Sequence, residues 1–283
     1  MIATRLILKN WRNFRSVDIE LQERMFIVGP NASGKSNLLD VFRFLRDISR
    51  QKGGGLQNAI DVRGGLSKIR CLAARQDPSV DVEIHLSESS ETWKYKISIK
   101  QEVRGNRQPY VAEEVVWKNS KEILKRPNDE DESDPKRLIQ THLEQINTNV
   151  EFRVITDFFE SFTYLHLVPQ LLRHSNAFTV TGLEGDPFGR NFLDRIIQTP
   201  EKTRKSRFNK IEQALRLAVP QLKELKVVRD GMGIPHLETV YEHWRAKGAK
   251  QREDQFSDGT LRLLGFLWSL LEGDSLLLLE EPE

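Results

Sequence analysis

Gly29-Pro30-Asn31-Ala32-Ser33-Gly34-Lys35-Ser36 obeys the pattern GxxxxGK[ST], and its reading decides the fold. Glycines at 29 and 34 let the backbone curl until successive N–H groups point inward, forming a concave site that suits phosphate oxygens. The apolar Met25-Phe26-Ile27-Val28 ahead of the loop reads as a buried strand, and residues 37–45 behind it read as a helix. That helix adds its positive N-terminal end to the site. Lys35 has the reach to meet β- and γ-phosphates as a point charge, and the Ser36 hydroxyl suits a Mg²⁺ ion. A strand before and a helix after separate a phosphate loop from an ordinary Gly/Ser-rich turn. Read this way, Gly29, Asn31, Ala32, Ser33, Gly34, Lys35, Ser36 and Asn37 hold a nucleoside triphosphate.

Bulk properties bound what such a site can serve. The chain has 283 residues, 38% of them hydrophobic, and a formal net charge of +2. That length suits one large α/β domain, or one domain carrying a substantial insertion. The near-even charge argues neither for nor against a nucleic-acid partner. A single cysteine, Cys71, excludes a disulfide framework within the chain and fits a reducing, cytoplasmic setting. Charges interrupt the short apolar stretch of residues 1–14, so the N-terminus does not read as a signal peptide. Residues 261–271, the most apolar stretch, contain Arg262 and fall far short of the ~20 residues a membrane span needs.

Outward from the loop, two strand-like segments at residues 5–8 and 16–21 precede it. The helix after it runs to about Arg50 and breaks at Gly53-Gly54-Gly55. From Val80 the pattern alternates: Val80, Val82, Ile84 and Leu86, then Trp93, Tyr95, Ile97 and Ile99, with Val115-Val116-Trp117 opening a further strand. This predicts an antiparallel layer on the nucleotide-binding lobe. The acidic run at residues 128–134 reads as a solvated loop rather than a metal site or interaction tail, because consecutive like charges resist packing. Helix formers fill residues 135–162, and a strand is expected at 164–168. Helices are expected at 188–197 and 201–219, then a hairpin of 222–229 and 236–241. The expected organisation is a lobe of residues 1–127, a helical insertion of 128–220 and a return to the core sheet over 221–283.

The C-terminal stretch holds two further motifs. Ser257 is a natural N-cap for an apolar helix, with Asp258 favourable in its first turn. Gly259 is not explained by an ordinary capped helix, since glycine there costs up to ~1 kcal/mol against alanine; it points to close approach of something to the backbone. Ser275-Leu276-Leu277-Leu278-Leu279 then reads as a strand buried on both faces, as in a parallel sheet, ending in Glu280-Glu281. Carboxylates at the carboxyl end of such a strand stand where open α/β sheets bind ligands, one suited to Mg²⁺ and its neighbour to an attacking water.

Four landmarks in this order, LKNWRNF, GPNASGKSNLLD, FSDGTLRLL and LLLLEEPE, make the chain similar to an ATP-binding-cassette ATPase of the SMC/RecF type. More narrowly, it resembles the predicted AAA-family ATPases related to the overcoming-lysogenization-defect group. The resemblance implies an α/β P-loop NTPase fold of ABC-ATPase head type: a mixed sheet with an antiparallel β layer and an inserted helical subdomain. It makes Lys35 and Ser36 the Walker A lysine and the Mg²⁺-ligating serine, Glu280 the Walker B acid and Glu281 the catalytic glutamate. Ser257, Asp258 and Gly259 match the signature motif, which in such families touches the γ-phosphate bound to the opposing subunit. Asp258 stands where transporter cassettes have glycine. Arg12 and Asn13 lie in a segment that runs near the nucleotide in relatives. The family's D-loop and switch histidine follow the Walker B strand, and these 283 residues hold neither. The six histidines, His85, His142, His166, His174, His236 and His243, are therefore expected in surface or structural roles. Gln140, Gln145 and Gln170 stand as equal candidates for the Q-loop glutamine.

The resemblance further implies ATP and Mg²⁺ as cofactors and an ATP-bound homodimer, with a nuclease or other effector as a further partner, in DNA repair or defence against bacteriophage. DNA is a candidate partner through Lys202, Arg204, Lys205, Arg207 and Lys210, with Arg195 nearby, although a solvated helix face explains that run as cheaply. A second reading is a nucleotide-binding module without turnover of its own, dependent on another polypeptide. A transporter cassette fits the SDGT and EEPE segments poorly, a small-molecule kinase leaves the signature helix unexplained, and no membrane partner is expected.

Overall fold

The computed structural model describes residues 1–74, 77–173, 186–242, 249–273 and 275–281. The chain divides into two compact units, Met1–Phe162 and Thr163–Glu283. In the first, a hairpin of β1 (Ile2–Trp11) and β2 (Phe14–Glu20) is followed by α1 (Lys35–Ser49), α2 (Leu56–Asp61) and α3 (Leu66–Ile69). Strands β3 (Val80–Glu88), β4 (Glu91–Gln101), β5 (Pro109–Lys118) and β6 (Lys121–Arg126) come next, then α4 (Asp129–Ser133) and α5 (Arg153–Glu160).

All six strands form one antiparallel sheet in the order β2-β1-β3-β4-β5-β6. The alternation visible in the sequence causes this. Val82 lies opposite Ile97 and Ile84 opposite Tyr95, so one face of the β3–β4 pair is continuous and apolar. Helix α1 presents Val41, Phe44, Leu45 and Ile48, all fully buried, at helical spacing. Burial of each such side chain is worth about 1.5–3 kcal/mol. Trp11 joins hairpin to helix, its ring 5.1 Å from that of Phe44 and its indole N–H donating to the Asn37 carbonyl over 2.8 Å.

The structure corrects three expectations. Met25, Phe26, Ile27 and Val28 form no strand, and Phe26 and Val28 are 90% and 93% exposed. Apolar composition records a tendency to be buried; it names no neighbour to pair with. The acidic run is not simply a solvated loop: it folds as α4, capped reciprocally by Asn128 and Asp131, and Asp131 is buried against Arg126. Residues 135–162 are helical only in part, at Pro135–Ile139, Val150–Phe152 and α5.

The second unit contains β7 (Thr163–Leu165), α6 (Pro169–Arg173), α7 (Phe192–Gln198), α8 (Glu201–Ala218), β8 (Leu222–Arg229), β9 (Pro235–Tyr241), β10 (Ala249–Arg252), α9 (Asp258–Leu270) and β11 (Leu277–Leu279). Strands β8, β9 and β10 make an antiparallel sheet, while β11 pairs with β7 in parallel. Phe192, Ile196, Phe208, Leu215, Leu264 and Trp268 close the core between the helices. The β8–β9 turn is fixed by Asp230, whose carboxylate accepts from the backbone N–H groups of Met232 and Ile234. The leucine run is parallel-paired as expected, but its strand is three residues long and Leu278 alone in it is buried. Among the described residues, no helix is long and apolar enough to cross a membrane.

Candidate functional site

In the first unit the site is the loop at residues 29–36 and the start of α1. Gly34 has φ +105°, in the left-handed region that favours glycine, and caps α1. A Cβ there would stand 2.6 Å from the Asn13 amide and 2.7 Å from the Phe14 ring, so the loop packs too closely for any side chain. At Gly29 a Cβ would stand 2.9 Å from Ser33 Oγ. Gly34 is thus required by its backbone conformation, whereas the neighbour at Gly29 is a serine hydroxyl that can turn aside. Lys35 Nζ donates to the carbonyls of Gly29 and Pro30, over 2.8 and 3.0 Å, which holds the cation over the mouth of the loop. The loop, its lysine and the helix N-terminus make a donor set that fits a triphosphate, and Ser36 at the first turn fits Mg²⁺.

The hairpin of β1 and β2 braces this loop. Asn13 donates its side-chain N–H to the Ser33 carbonyl over 3.1 Å and accepts from the Asn37 amide over 2.8 Å. Arg12 has φ +51°, strained for a residue with a long side chain, at a cost on the order of 1 kcal/mol. Its guanidinium is held by Asp40 over 3.0 Å, and Arg63 meets the same carboxylate at 3.0 Å. Burial pushes the Asp40 carboxyl up, but Arg63 and Arg12 together outweigh it and hold it below the usual carboxylate range. Asn13 therefore touches the loop directly, whereas Arg12 ties the turn to α1. Arg63 and Asp40 carry no sequence signal at this site, because only the fold brings 12, 40 and 63 together.

In the second unit, β7 and β11 run in parallel with Leu279 opposite Leu165, and the backbone N–H of Glu280 donates to the Leu165 carbonyl over 2.9 Å. The Tyr164 hydroxyl donates to the Glu280 carboxylate. Next along each chain, His166 Nε2 lies 3.3 Å from Glu281 Oε2. Of the three glutamines, Gln170 follows β7 directly at the start of α6, while Gln140 and Gln145 bond each other in the first unit. His166 is partly exposed and lies beside the second acidic residue.

Ser257 caps α9, accepting from the Thr260 N–H over 3.2 Å. Asp258 accepts from Arg173, which also donates to the Phe256 carbonyl, so the end of α6 is tied to the first turn of α9. Among the described residues, a Cβ on Gly259 would meet nothing within 4 Å. The basic run on α8 is partly spent within the unit: Arg207 lies over the Trp268 ring at 5.2 Å, Lys205 pairs with Glu201, and Arg204 donates to the Ile197 carbonyl. Lys202, Arg207 and Lys210 line a cavity of about 360 Å³ with Thr203 and Ser206. His174, His243 and the end of the EEPE segment lie outside the described residues. Among the described residues, no group of three or more carboxylate, histidine or cysteine side chains is placed to share a metal ion.

The loop motif opening directly into α1, without the strand expected before it, defines the class, a P-loop nucleotide-binding protein. A family model described as "AAA domain, putative AbiEii toxin, Type IV TA system" matches residues 24–283, and the chain belongs to that family. No curated protein matches it. Among solved structures it is similar to the recombination mediator protein RecF with ATPrS in the RecFOR pathway, at 14% identity and TM-score 0.37, covering 99% of this chain and 85% of that one. It is also similar to RecF with ATP, at 15% identity and TM-score 0.36, covering 99% and 86%. A third match is the Smc head domain with an extended coiled coil bound to the C-terminal domain of ScpA, from Pyrococcus furiosus. Its identity is 12% and its TM-score 0.40, with coverage of 95% and 78%.

Proposed function

We propose that this protein is an ATPase that works as an ATP-dependent dimerisation switch. In this reading Lys35 and the loop N–H groups neutralise the β- and γ-phosphates, and Ser36 and Glu280 hold Mg²⁺. The ion supplies charge neutralisation on the phosphate oxygens. Glu281 takes a proton from the attacking water as the bond from water oxygen to γ-phosphorus forms. The bond to the β–γ bridging oxygen breaks and its electron pair leaves with ADP. Gln170 is assigned as the Q-loop glutamine, on its place after the strand that pairs with β11.

Ser257 and Gly259 of a second copy complete the nucleotide's surroundings, so ATP binds the paired state more tightly than the single one and shifts the population toward it. The observation that carries this reading is Gly259. It sits in the first turn of a side-chain-capped helix, at a helix-propensity cost of up to ~1 kcal/mol, and none of the described residues fills the space beside it. An approaching partner accounts for the glycine where the helix alone does not.

DNA or a partner protein, including a nuclease, is the object of the switch, in DNA maintenance or in defence against bacteriophage. Lys202 and Lys210 are the side chains offered to a phosphate backbone. The test is Mg²⁺-dependent phosphate release from ATP by the purified chain, with Lys35→Ala as the paired variant. The expected result is release by the wild type, and loss of both ATP binding and release in the variant. Wild-type protein that binds ATP through Lys35 yet releases no phosphate supports the alternative, a nucleotide-binding module that needs another polypeptide for turnover.

A further inference from the structure

We propose that His166 is the positioning residue for the Glu281 carboxylate; the inference rests on the reading of Glu281 as the group that accepts the water proton. Strands β7 and β11 end in register, Leu165 beside Leu279, and each then delivers its next residues to the same edge. Successive residues of an extended chain point to opposite faces, so Tyr164 and His166, two apart, share one. They divide the two adjacent acids between them. The Tyr164 hydroxyl goes to Glu280, and His166 Nε2 goes to Glu281 Oε2 at 3.3 Å.

Glu281 needs such a partner. Its backbone has φ +47°, and its side chain is 72% exposed, so several rotamers of similar energy are open to it. His166 is the fixed member of the pair. Its backbone N–H donates to the Pro187 carbonyl over 2.8 Å, and its ring lies against Phe188 with centroids 6.1 Å apart. A polar contact from Nε2 to one carboxylate oxygen favours one rotamer over the others. The other oxygen stays free to accept the proton from water. The reaction balances as ATP and water giving ADP and phosphate, with Glu281 taking the proton from water.

Two measurements on the full chain test this. The first is the nitrogen-15 spectrum of the His166 imidazole, which reports its contact with the carboxylate whether or not ATP turns over. The expected result is an Nε2 signal that shifts in Glu281→Ala. The second is turnover against affinity. His166→Ala should lower kcat about tenfold or more with ATP affinity unchanged, the cost of a misplaced catalytic group. His166→Gln, which keeps an N–H donor, should restore most of that loss, and His166→Ala added to Glu281→Gln should change nothing further. An imidazole signal indifferent to Glu281→Ala overturns the pair, as does a His166→Ala enzyme within twofold of wild type. A wild type with the imidazole signature but no phosphate release overturns the hydrolysis reading and upholds the pair.

Discussion

Among the described residues, a methyl group on Gly259 would meet no atom within 4 Å, whereas one on Gly34 would collide with Asn13 and Phe14. The two glycines are constrained differently. Gly34 serves the loop of its own chain through a positive φ and a close approach; Gly259, in the proposed dimer, serves the opposing copy. Gly259→Ala should therefore stabilise the fold by about 0.5–1 kcal/mol through helix propensity. The same change should weaken ATP-dependent self-association, because the added methyl occupies the approach path. Urea unfolding and light scattering with ATP measure the two effects separately. A variant as stable as expected that still associates like wild type would remove Gly259 from the interface. Both glycines are prominent in the sequence, but the distinction is not, since it depends on what lies beside each Cβ.

At the scale of elements, the buried polar layer around β5 and β6 explains why the acidic segment packs. Arg126 is fully buried between Glu114 and Asp131, at 3.0 and 2.8 Å, and Glu114 also accepts from Tyr95 and the His142 backbone N–H. The His142 ring beside it is buried with neither nitrogen hydrogen-bonded, and burial, then the Arg126 charge, push its pKa down to about 4. The unfolded chain returns it to about 6.5. Between those values the unfolded state binds more protons, so stability is complete above about pH 6.5 and is lost as pH falls toward 4. His142→Leu should flatten that dependence: the wild-type-minus-variant difference in unfolding free energy should be constant above pH 7 and move by on the order of 2–3 kcal/mol by pH 4. Denaturant titrations across that range check it, and a difference independent of pH would show that the ring titrates alike in the folded and unfolded protein.

Element formation itself was legible to the extent that it is local. Alternation in Val80 to Leu86 and Trp93 to Ile99 specified two strands and their buried face, and Ser257 specified a helix start. Non-local partnership was not legible. Met25 to Val28 look like a strand and are exposed, and Asp131 looks solvated and is buried, because no window of sequence contains Arg126's full set of partners. The same holds at the site. Lys35, Ser36 and Gly34 announce themselves by spacing, while Asp40, Arg63, Tyr164 and His166 gain their positions only when strands and helices meet.

Across the whole molecule, the phosphate loop and the adjacent pair Glu280–Glu281 belong to different units, Met1–Phe162 and Thr163–Glu283, as does the capped helix with its open glycine. Two copies of Gly259, two phosphate loops and two Glu281 carboxylates make the proposed working unit. Glu281→Gln keeps the shape of that side chain and removes its basicity, so ATP should bind, pair the copies and remain uncleaved. Light scattering of Glu281→Gln with Mg²⁺ and ATP is the most direct measurement. The account predicts an ATP-dependent dimer that Lys35→Ala abolishes; a variant that binds ATP and stays monomeric at every protein concentration would contradict it.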